Sequence, residues 1–271
     1  QSPFRERPVL HFRRGERSFY ICPIPLLLFW RATRGMYYDV IQDIRAPNYI
    51  GKAFEGYVKL LLSEVCGEDK VISERRYQIK KGVNLATPDV MTLNGAILDL
   101  VIECKSTKIP LSGKILPTIG PEFSRAIEEI AKGVFQIIRF IDHVTSGIIE
   151  GLSIDHNTIF IVLTLDDWGF SLGAVERDIY DRSMKYILKR NISENFDVRR
   201  VVIMTAQELN VLYSSRSDGE IRELLRLRGA EKYEGYHLLG LANELFGYPK
   251  CRRKFPLSGE LSEIFKGIEG A

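Results

Sequence analysis

Two stretches of the chain have apolar residues at helical spacing. The first follows Asn48, a residue type well suited to cap a helix N-terminus, and its apolar positions are Phe54, Val58, Leu61, Leu62 and Val65. The second begins with Pro121 in its first turn and continues to about His143. Its apolar face consists of Phe123, Ile127, Ile130, Val134, Ile138 and Ile141. This spacing predicts two amphipathic helices that each pack one face against a core.

Between these helices the pattern changes to that of β-strands. The segments from Val71 to Ile79 and from Pro88 to Leu93 are strand-like, and Asn94-Gly95 is a strong signal for a hairpin turn. The turn leads into the run from Ala96 to Lys105, which is rich in β-branched and aliphatic residues. This run is largely apolar on both faces until Glu103, a pattern typical of a central strand that is buried on both sides.

The second half of the chain alternates between strand and helix. Strands are predicted at Thr158–Leu165 and Val198–Thr205, and helices at Ala174–Lys189 and Gln207–Tyr213. Because strands that alternate with helices are usually joined by crossover connections, this order predicts an α/β sandwich with a partly parallel sheet. We therefore expect an α/β main domain over residues 48–215.

The two ends of the chain are predicted to be additions to this domain. Residues 1–47 are expected to form an N-terminal extension with one strand and a helix from about Pro25 to Ile44. Residues 216–271 are expected to form a helical C-terminal addition. This addition carries a cluster of basic residues: Lys250, Arg252, Arg253 and Lys254. Since the sequence starts at Gln1 rather than at a methionine, we expect a processed product or a piece of a longer protein.

Composition narrows the function classes only in part. The 271 residues are 45% hydrophobic, which is enough for a full core, and their net charge of +3 neither demands nor excludes a polyanionic partner. The four cysteines lack the spacing of a zinc site or a disulfide framework, so a reducing cytoplasm is the expected compartment. The apolar run from Ile21 to Trp30 is too short to cross a bilayer, and no membrane partner is expected.

Three charged residues around the predicted hairpin could carry chemistry. A Pro-Asp pair ending at Asp89 precedes the turn, and Glu103-Cys104-Lys105 ends the strand that follows it. Because side chains alternate along a strand, Glu103 and Lys105 share one face. Asp89, Glu103 and the carbonyl oxygen of Cys104 could supply oxygen ligands to Mg²⁺, a hard cation that keeps several waters. Lys105 could then orient an attacking water while the metal neutralises the charge that develops at phosphorus.

A Pro-Asp pair, a hairpin and a Glu-x-Lys tripeptide in this order resemble the PD-(D/E)XK nuclease superfamily. In that family a helix before the sheet often adds a glutamate, and Glu55 matches it. Members related to RecB also carry a glutamine followed four residues later by an aromatic residue, and Gln136 with Phe140 resembles that element. This chain has phenylalanine where tyrosine is usual. The similarity covers roughly residues 48–213.

The resemblance implies a restriction endonuclease-like fold, in which helices flank a mixed central sheet. It also implies a nuclease that uses magnesium or manganese to hydrolyse phosphodiester bonds of nucleic acid, and we expect that nucleic acid to be DNA. Its catalytic residues would be Glu55, Asp89, Glu103, Lys105 and Gln136. Its metal ligands would be Asp89, Glu103, Cys104 and Glu55. Restriction, repair and defence against foreign DNA such as phage are roles in which this family occurs.

The nuclease interpretation has one geometric condition. If Asn94-Gly95 formed an ideal two-residue turn, Asp89 would pair with Leu100 and point to the face opposite Glu103. The interpretation therefore requires a longer loop, a bulge, or a bend at the proline that precedes the aspartate. Asp99 is the alternative acidic residue. It lies four residues before Glu103 on the same face, and that separation of roughly 13 Å is too long for both to share one metal directly.

One polar stripe of the long helix consists of Lys132, Gln136, Arg139 and His143. On this stripe Lys132 and Arg139 could contact a phosphate backbone that leads to the metal. The same arrangement is typical of the solvated face of any amphipathic helix. Cleavage of both strands of a duplex would call for two sites, and hence often for a homodimer. A homodimer or a larger complex is therefore an expected assembly.

Three other interpretations of these residues stay open from the sequence alone. Glu103 and Lys105 could form a purely structural ion pair at the end of a buried strand. The chain could be a catalytically inactive nuclease fold that binds nucleic acid or a partner protein. It could also be a scaffold or sensor within a larger protein.

Overall fold

The computed structural model describes residues 7–30, 37, 40–41, 43–108, 121–166, 173–190, 192, 196–249 and 255–259. The chain divides into two compact units, Gln1–Ile50 and Gly51–Ala271. In the first unit, β1 (Leu10–Arg14) and β2 (Arg17–Ile21) form an antiparallel hairpin that a short helix, α1 (Pro25–Trp30), follows. The sequence predicts only one strand here, because both strands are short and largely exposed and bury little apolar surface. Most of residues 31–42 lie outside the described residues.

The second unit is built from seven strands and five helices within the described residues, together with the long helix that leads into it. That leading helix is α2 (Ala46–Cys66). The strands are β3 (Val71–Ser73), β4 (Arg76–Lys80), β5 (Val83–Ala86), β6 (Val90–Asn94), β7 (Ile97–Lys105), β8 (Ile159–Thr164) and β9 (Val201–Thr205). The helices are α3 (Pro121–Thr145), α4 (Gly173–Lys189), α5 (Ala206–Ser215), α6 (Asp218–Arg228) and α7 (Leu238–Phe246).

Five of these strands form a mixed central sheet in the order β3-β6-β7-β8-β9. The pairs β3/β6 and β6/β7 are antiparallel, whereas β7/β8 and β8/β9 are parallel. Helices α3 and α4 pack on one face of the sheet, and α2, α5, α6 and α7 pack on the other. The protein is thus an α/β protein with a mixed central sheet flanked by helices, as the alternation of strand and helix predicts.

A local difference from the sequence-based prediction affects the region around Asp89. The sequence predicts one strand from Val71 to Ile79, but β3 ends at Ser73 and β4 starts at Arg76. These two strands belong to different sheets, because β4 pairs with β5 in a separate two-stranded hairpin. A continuous β-propensity does not reveal where a strand changes partner, and so the prediction is wrong at this point.

The helices that follow residue 215 share the core of the sheet. Leu224 of α6 and Leu241 of α7 are fully buried in the cluster that also contains Leu61 of α2. The basic cluster from Lys250 to Lys254 lies outside the described residues. Within the described ranges, no helix is both long enough and apolar enough to cross a membrane.

A buried ion pair connects α4 with the end of α6. The Arg228 Nη2 atom donates to Glu176 Oε2 at 2.8 Å, and the two side chains are 5% and 2% exposed. The backbone N–H of Gly235 donates to the same oxygen at 3.0 Å. The Tyr180 hydroxyl lies 3.1 Å both from Glu176 Oε1 and from the carbonyl oxygen of Val201 in the edge strand β9. The C-terminal segment is therefore tied to the sheet edge through one carboxylate.

We expect Arg228→Ala to be strongly destabilising, because it leaves the Glu176 carboxylate buried without its partner. Breaking such a pair costs about 3–5 kcal/mol. Arg226→Ala is the matched control, since Arg226 is exposed on the same helix and its loss should change the free energy of unfolding by less than about 0.5 kcal/mol. Urea unfolding of the two variants measures the difference. Equal stabilities would mean that this ion pair does not hold the C-terminal segment.

Candidate active site

The turn between β6 and β7 is shifted by one residue from its predicted place. Gly95 and Ala96 are the two turn residues, and Asn94 pairs with Ile97. Gly95 has a φ of +64°, so glycine occupies the first turn position. Hairpin turns with the left-handed conformation at that position favour glycine there, whereas the Asn-Gly signal assumes glycine at the second position. The prediction of the turn residues is therefore wrong by one position.

A β-bulge then changes the register between the two strands. The register shifts after Thr92, and Asp99 is the extra residue of β7. Beyond the bulge Val90 pairs with Ile102. The same register, extended by one residue, sets Asp89 on the face of Glu103 rather than against Leu100. The geometric condition of the nuclease interpretation is met in this way.

Asp99 itself is engaged elsewhere. Both of its carboxylate oxygens accept hydrogen bonds from the Arg222 guanidinium of α6, one of them at 2.7 Å. The two residues line a cavity of about 840 Å³ whose lining includes neither Asp89 nor Glu103. The alternative acidic residue thus belongs to an ion pair outside the candidate site.

The Asp89 carboxylate and the backbone of Cys104 meet between β6 and β7, near the C-terminal end of β7. The Asp89 Oδ2 atom accepts a hydrogen bond of 2.7 Å from the Cys104 N–H. On the other side of β7, the carbonyl oxygen of Lys105 accepts from the Leu165 N–H at 3.2 Å. Because neighbouring residues of a strand direct their backbone groups to opposite sides, the Cys104 carbonyl is directed to the side of Asp89. The Asp89 carboxylate and the Cys104 carbonyl oxygen therefore lie on the same side of β7.

Glu103, Lys105 and Gln136 form a second group next to Asp89. Glu103 is 4% exposed, and its Oε1 atom accepts a hydrogen bond of 2.9 Å from Lys105 Nζ. The same ammonium donates to Gln136 Oε1 of α3 at 2.8 Å. Phe140, one turn further along α3, is 1% exposed and fills the core. The structure thus brings four residues predicted from the sequence into one cluster: Asp89, Glu103, Lys105 and Gln136.

The carboxylates of this cluster have raised pKa values. Burial, and secondly the nearby Glu103 charge, raises the pKa of Asp89 to about 8. Burial also raises the pKa of Glu103, although the Lys105 ammonium opposes this effect. The pKa of Glu55 on α2 is raised by burial and by the charge of Glu74. Burial thus disfavours the charged forms of these carboxyl groups, and a cation bound beside them would favour those forms.

Glu74 is a residue near the site that the sequence analysis missed. Its charge raises the pKa values of both Glu55 and Glu103. Its backbone N–H donates to the carbonyl oxygen of Asp89 at 2.9 Å, just beyond the end of β3. The pairing of β3 with β6 places it there, and no spacing rule in the sequence reveals that register.

Gly133 of α3 is the second residue that was missed. A Cβ atom at this position would lie 2.8 Å from Lys105 Cε and 3.3 Å from Val162 Cγ1. The missing side chain therefore makes room for the Lys105 stem beneath the helix. A glycine inside an otherwise strongly helical stretch is the signal that could have identified it, because such a glycine costs stability unless packing requires it.

The polar stripe of α3 is only partly available to a ligand. Lys132 Nζ pairs with Glu129 Oε1 at 2.7 Å and is partly exposed. The Arg139 guanidinium lies over the Phe135 ring, 5.6 Å from its centroid. His143 is buried, and its Nδ1 atom lies 2.8 Å from the Tyr77 hydroxyl. Lys132 and Arg139 stay candidates for contacts with nucleic acid, whereas His143 packs inside the protein.

Side-chain ligands alone do not make a complete metal site in the described part of the chain. No group of three or more His, Cys, Asp or Glu side chains there is arranged to hold a metal ion. A cation at this place would have to combine two carboxylates with a backbone carbonyl and with water or substrate oxygens, which is an ordinary arrangement for Mg²⁺.

Comparison of the chain with protein-family models, curated proteins and solved structures finds no match.

Proposed function

We propose that this chain is a magnesium-dependent nuclease that hydrolyses phosphodiester bonds of DNA, with manganese as an alternative metal, and that its core is a restriction endonuclease-like fold of the PD-(D/E)XK type. One observation carries the proposal: the bulge at Asp99 sets the register in which Val90 pairs with Ile102, and the Asp89 carboxylate accepts from the Cys104 N–H, between Glu103 and Lys105 in the chain. Without it, the two carboxylates would lie on opposite faces of the hairpin. Restriction, repair or defence against phage are the cellular roles that the proposal includes.

The donor set at the β6/β7 edge fits a hard divalent cation. Asp89 and Glu103 would hold Mg²⁺ together with the Cys104 carbonyl, and Glu55 would contribute from α2. Burial is the main cause of the raised pKa values of Asp89, Glu103 and Glu55, and a bound cation would restore their charged forms. When bound, the metal would neutralise phosphate charge and make water a better nucleophile.

Lys105 would orient the attacking water and stabilise the phosphate oxygens. Its ammonium is held in place from two sides, by Glu103 Oε1 at 2.9 Å and by Gln136 Oε1 at 2.8 Å. Two fixed acceptors leave one of its three N–H donors to point elsewhere. A donor that is already oriented stabilises developing charge without reorganising during the reaction. Gln136 therefore acts on Lys105 and not directly on the phosphorus.

Cleavage assays on a panel of substrates test this function. Supercoiled plasmid, linear duplex DNA, single-stranded DNA and RNA are incubated with the full chain and Mg²⁺, Mn²⁺ or EDTA. We expect cleavage of duplex DNA with either metal and none with EDTA. If no substrate is cut with either metal while nucleic acid still binds, the chain is a nuclease fold without activity and the proposal is wrong.

Substitution of Gly133 tests the placement of Lys105 without removing a functional group. We expect Gly133→Ala to lower the cleavage rate by about tenfold or more, because the new methyl group displaces the Lys105 stem. Ala is favoured over Gly within a helix by about 0.8–1.0 kcal/mol, so this reduction would not follow from a weaker helix. Cleavage rates and melting temperatures are measured together.

Gly219→Ala is the matched control for this prediction. A Cβ atom at Gly219 of α6 would meet no atom within 4 Å. This variant should keep the wild-type cleavage rate. Equal rates for Gly133→Ala and the wild type would show that the position of the Lys105 stem does not matter for activity.

A further inference from the structure

A short basic hairpin, β4–β5, forms a two-stranded sheet of its own next to the candidate site in the chain. Residues 75–88 contain four cations and no acidic residue, in a chain whose overall net charge is only +3. The cations are Arg75, Arg76, Lys80 and Lys81, and all four are exposed. Within the described part of the chain, none of them has an ion-pair partner. The hairpin therefore has a strongly positive surface, and none of the proposed catalytic residues belongs to it.

The base of the hairpin is fixed directly to the candidate metal site. The Glu74 N–H donates to the carbonyl oxygen of Asp89 at 2.9 Å. One step outward, the Thr87 N–H donates to the carbonyl oxygen of Arg75, and the Arg75 N–H donates to Thr87 Oγ1, both at 2.9 Å. The hairpin therefore continues the β3/β6 ribbon past Asp89, and a molecule bound along it would be led to that carboxylate.

The hairpin has an inner and an outer face. On the inner face Tyr77 contacts His143 of α3, with ring centroids 5.6 Å apart. On the outer face Gln78 is exposed and stands opposite exposed Asn84 in the register of the two strands. Arg76 lies on the same face as Gln78, one strand repeat closer to the base. Two amides that stand side by side are thus flanked by cations.

The tip of the hairpin adds two of the four positive charges. Lys80 and Lys81 precede Gly82, whose φ of +81° closes the turn. A five-residue strand extends over roughly 17 Å. The positive charges are therefore spread along the whole hairpin, so that they could contact several phosphates of a duplex.

We propose that this basic hairpin inserts into the major groove of double-stranded DNA and positions the duplex for cleavage at the Asp89–Glu103 site. This inference rests on the proposed nuclease function, because only a nuclease would cleave the duplex that the hairpin binds. A two-stranded ribbon fits the major groove of B-form DNA, where glutamine and asparagine amides pair with base edges. Arg76, Lys80 and Lys81 would contact phosphates and set the position of the duplex.

Two features favour duplex DNA over the other nucleic acids. Single-stranded nucleic acids are usually held by exposed aromatic side chains on which bases stack. The only aromatic residue of the hairpin is Tyr77, and it faces α3. Double-stranded RNA has a deep, narrow major groove that does not admit such a ribbon.

The test measures how tightly the full chain binds a fluorescently labelled DNA duplex of about 30 base pairs, which is about three helical turns. Binding is followed by fluorescence anisotropy in EDTA, at several salt concentrations. The hairpin variant carries Arg76→Gln, Lys80→Gln and Lys81→Gln. The matched control carries Lys185→Gln, Lys189→Gln and Arg190→Gln, which removes the same charge from exposed positions at the end of α4. We expect the hairpin variant to bind on the order of tenfold more weakly or worse. The slope of log K against log salt should fall by roughly 0.9 for each phosphate that the variant no longer neutralises.

The outcomes separate this inference from the proposed function. If wild type and hairpin variant bind the duplex equally, or if the control is weakened as much, the hairpin is not the binding element. Stronger binding of wild type to single-stranded DNA or to RNA would also overturn the inference. Cleavage with Mg²⁺ is assayed in parallel, because a wild type that binds through the hairpin but does not cut would refute only the nuclease function.

Discussion

Replacing Lys105 by methionine is expected to reduce the rate of metal-dependent DNA cleavage by about 10²- to 10⁴-fold. Methionine has nearly the length of lysine but has no charge and no donor. The variant therefore removes the ammonium that lies between Glu103 and Gln136 while it keeps the packing under α3. Initial rates on plasmid DNA at saturating Mg²⁺ measure the effect.

A second variant separates catalysis from stability. Lys105→Met alone leaves the 4%-exposed Glu103 without its counter-ion, and breaking a buried pair in this way costs about 3–5 kcal/mol. Glu103→Gln combined with Lys105→Met removes both charges and should regain most of that stability. We expect this double variant to stay inactive although it is stable. A double variant that regains both stability and cleavage would show that the pair is purely structural.

Asp89→Asn is expected to change how stability depends on pH in the absence of metal. Burial and the Glu103 charge raise the pKa of Asp89 from its ordinary value of 3.8 to about 8. Between these two pH values the folded protein holds a proton that the unfolded chain has released. The stability contribution of that proton is complete below pH 3.8 and is lost as pH rises towards 8. In EDTA, the melting temperature of wild type should therefore fall more steeply over this window than that of Asp89→Asn.

Mg²⁺ should reverse the pH effect in wild type only. A cation that binds the folded state stabilises it, and the gain grows as Asp89 becomes deprotonated. We expect the rise in melting temperature on addition of Mg²⁺ to be larger at pH 8.5 than at pH 6 for wild type, and to be largely absent for Asp89→Asn. Asp99→Asn is the matched control, because Asp99 lies on β7 of the same hairpin but its carboxylate is bound by Arg222 of α6. The assignment of Asp89 as a ligand fails if both variants respond to Mg²⁺ alike.

The central elements of the fold could be predicted from residue patterns. The largely apolar run that ends at Glu103 marks β7 as a central strand, and the apolar stripe from Phe123 to Ile141 marks α3. Both signals are strong because each element buries a large continuous face. The exposed strands β1 and β2 bury little, and so their sequences show no such pattern.

The register of the candidate site could be stated only as a condition. The bulge residue Asp99 is bound by Arg222, which lies 123 positions further along the chain. Contacts over such a separation depend on the finished tertiary structure, whereas turn signals such as Asn94-Gly95 are local. The sequence could therefore indicate that a bulge was needed, but not where it would occur.

The chemistry of the site was more predictable than its surroundings. Asp89, Glu103 and Lys105 belong to a short motif in which residue type and spacing carry the signal. Glu74 and Gly133 have no such motif, because their relevance comes from the β3/β6 pairing and from the close approach of α3 to Lys105. The basic hairpin could not be predicted from the sequence for a similar reason. Its first strand, except for Lys80, lies within the strand-like segment from Val71 to Ile79, and no local signal marks where that segment changes sheets.

The most direct test of the account is a comparison of plasmid cleavage by wild type and by Glu103→Gln, each with Mg²⁺ and with EDTA. Glutamine keeps the shape of the side chain and removes only the charge of the buried carboxylate. We expect wild type with Mg²⁺ to convert supercoiled plasmid to nicked or linear forms, and the other three samples to leave it intact. Equal cleavage by Glu103→Gln, or cleavage by wild type that persists in EDTA, would contradict a metal-dependent site at Asp89 and Glu103.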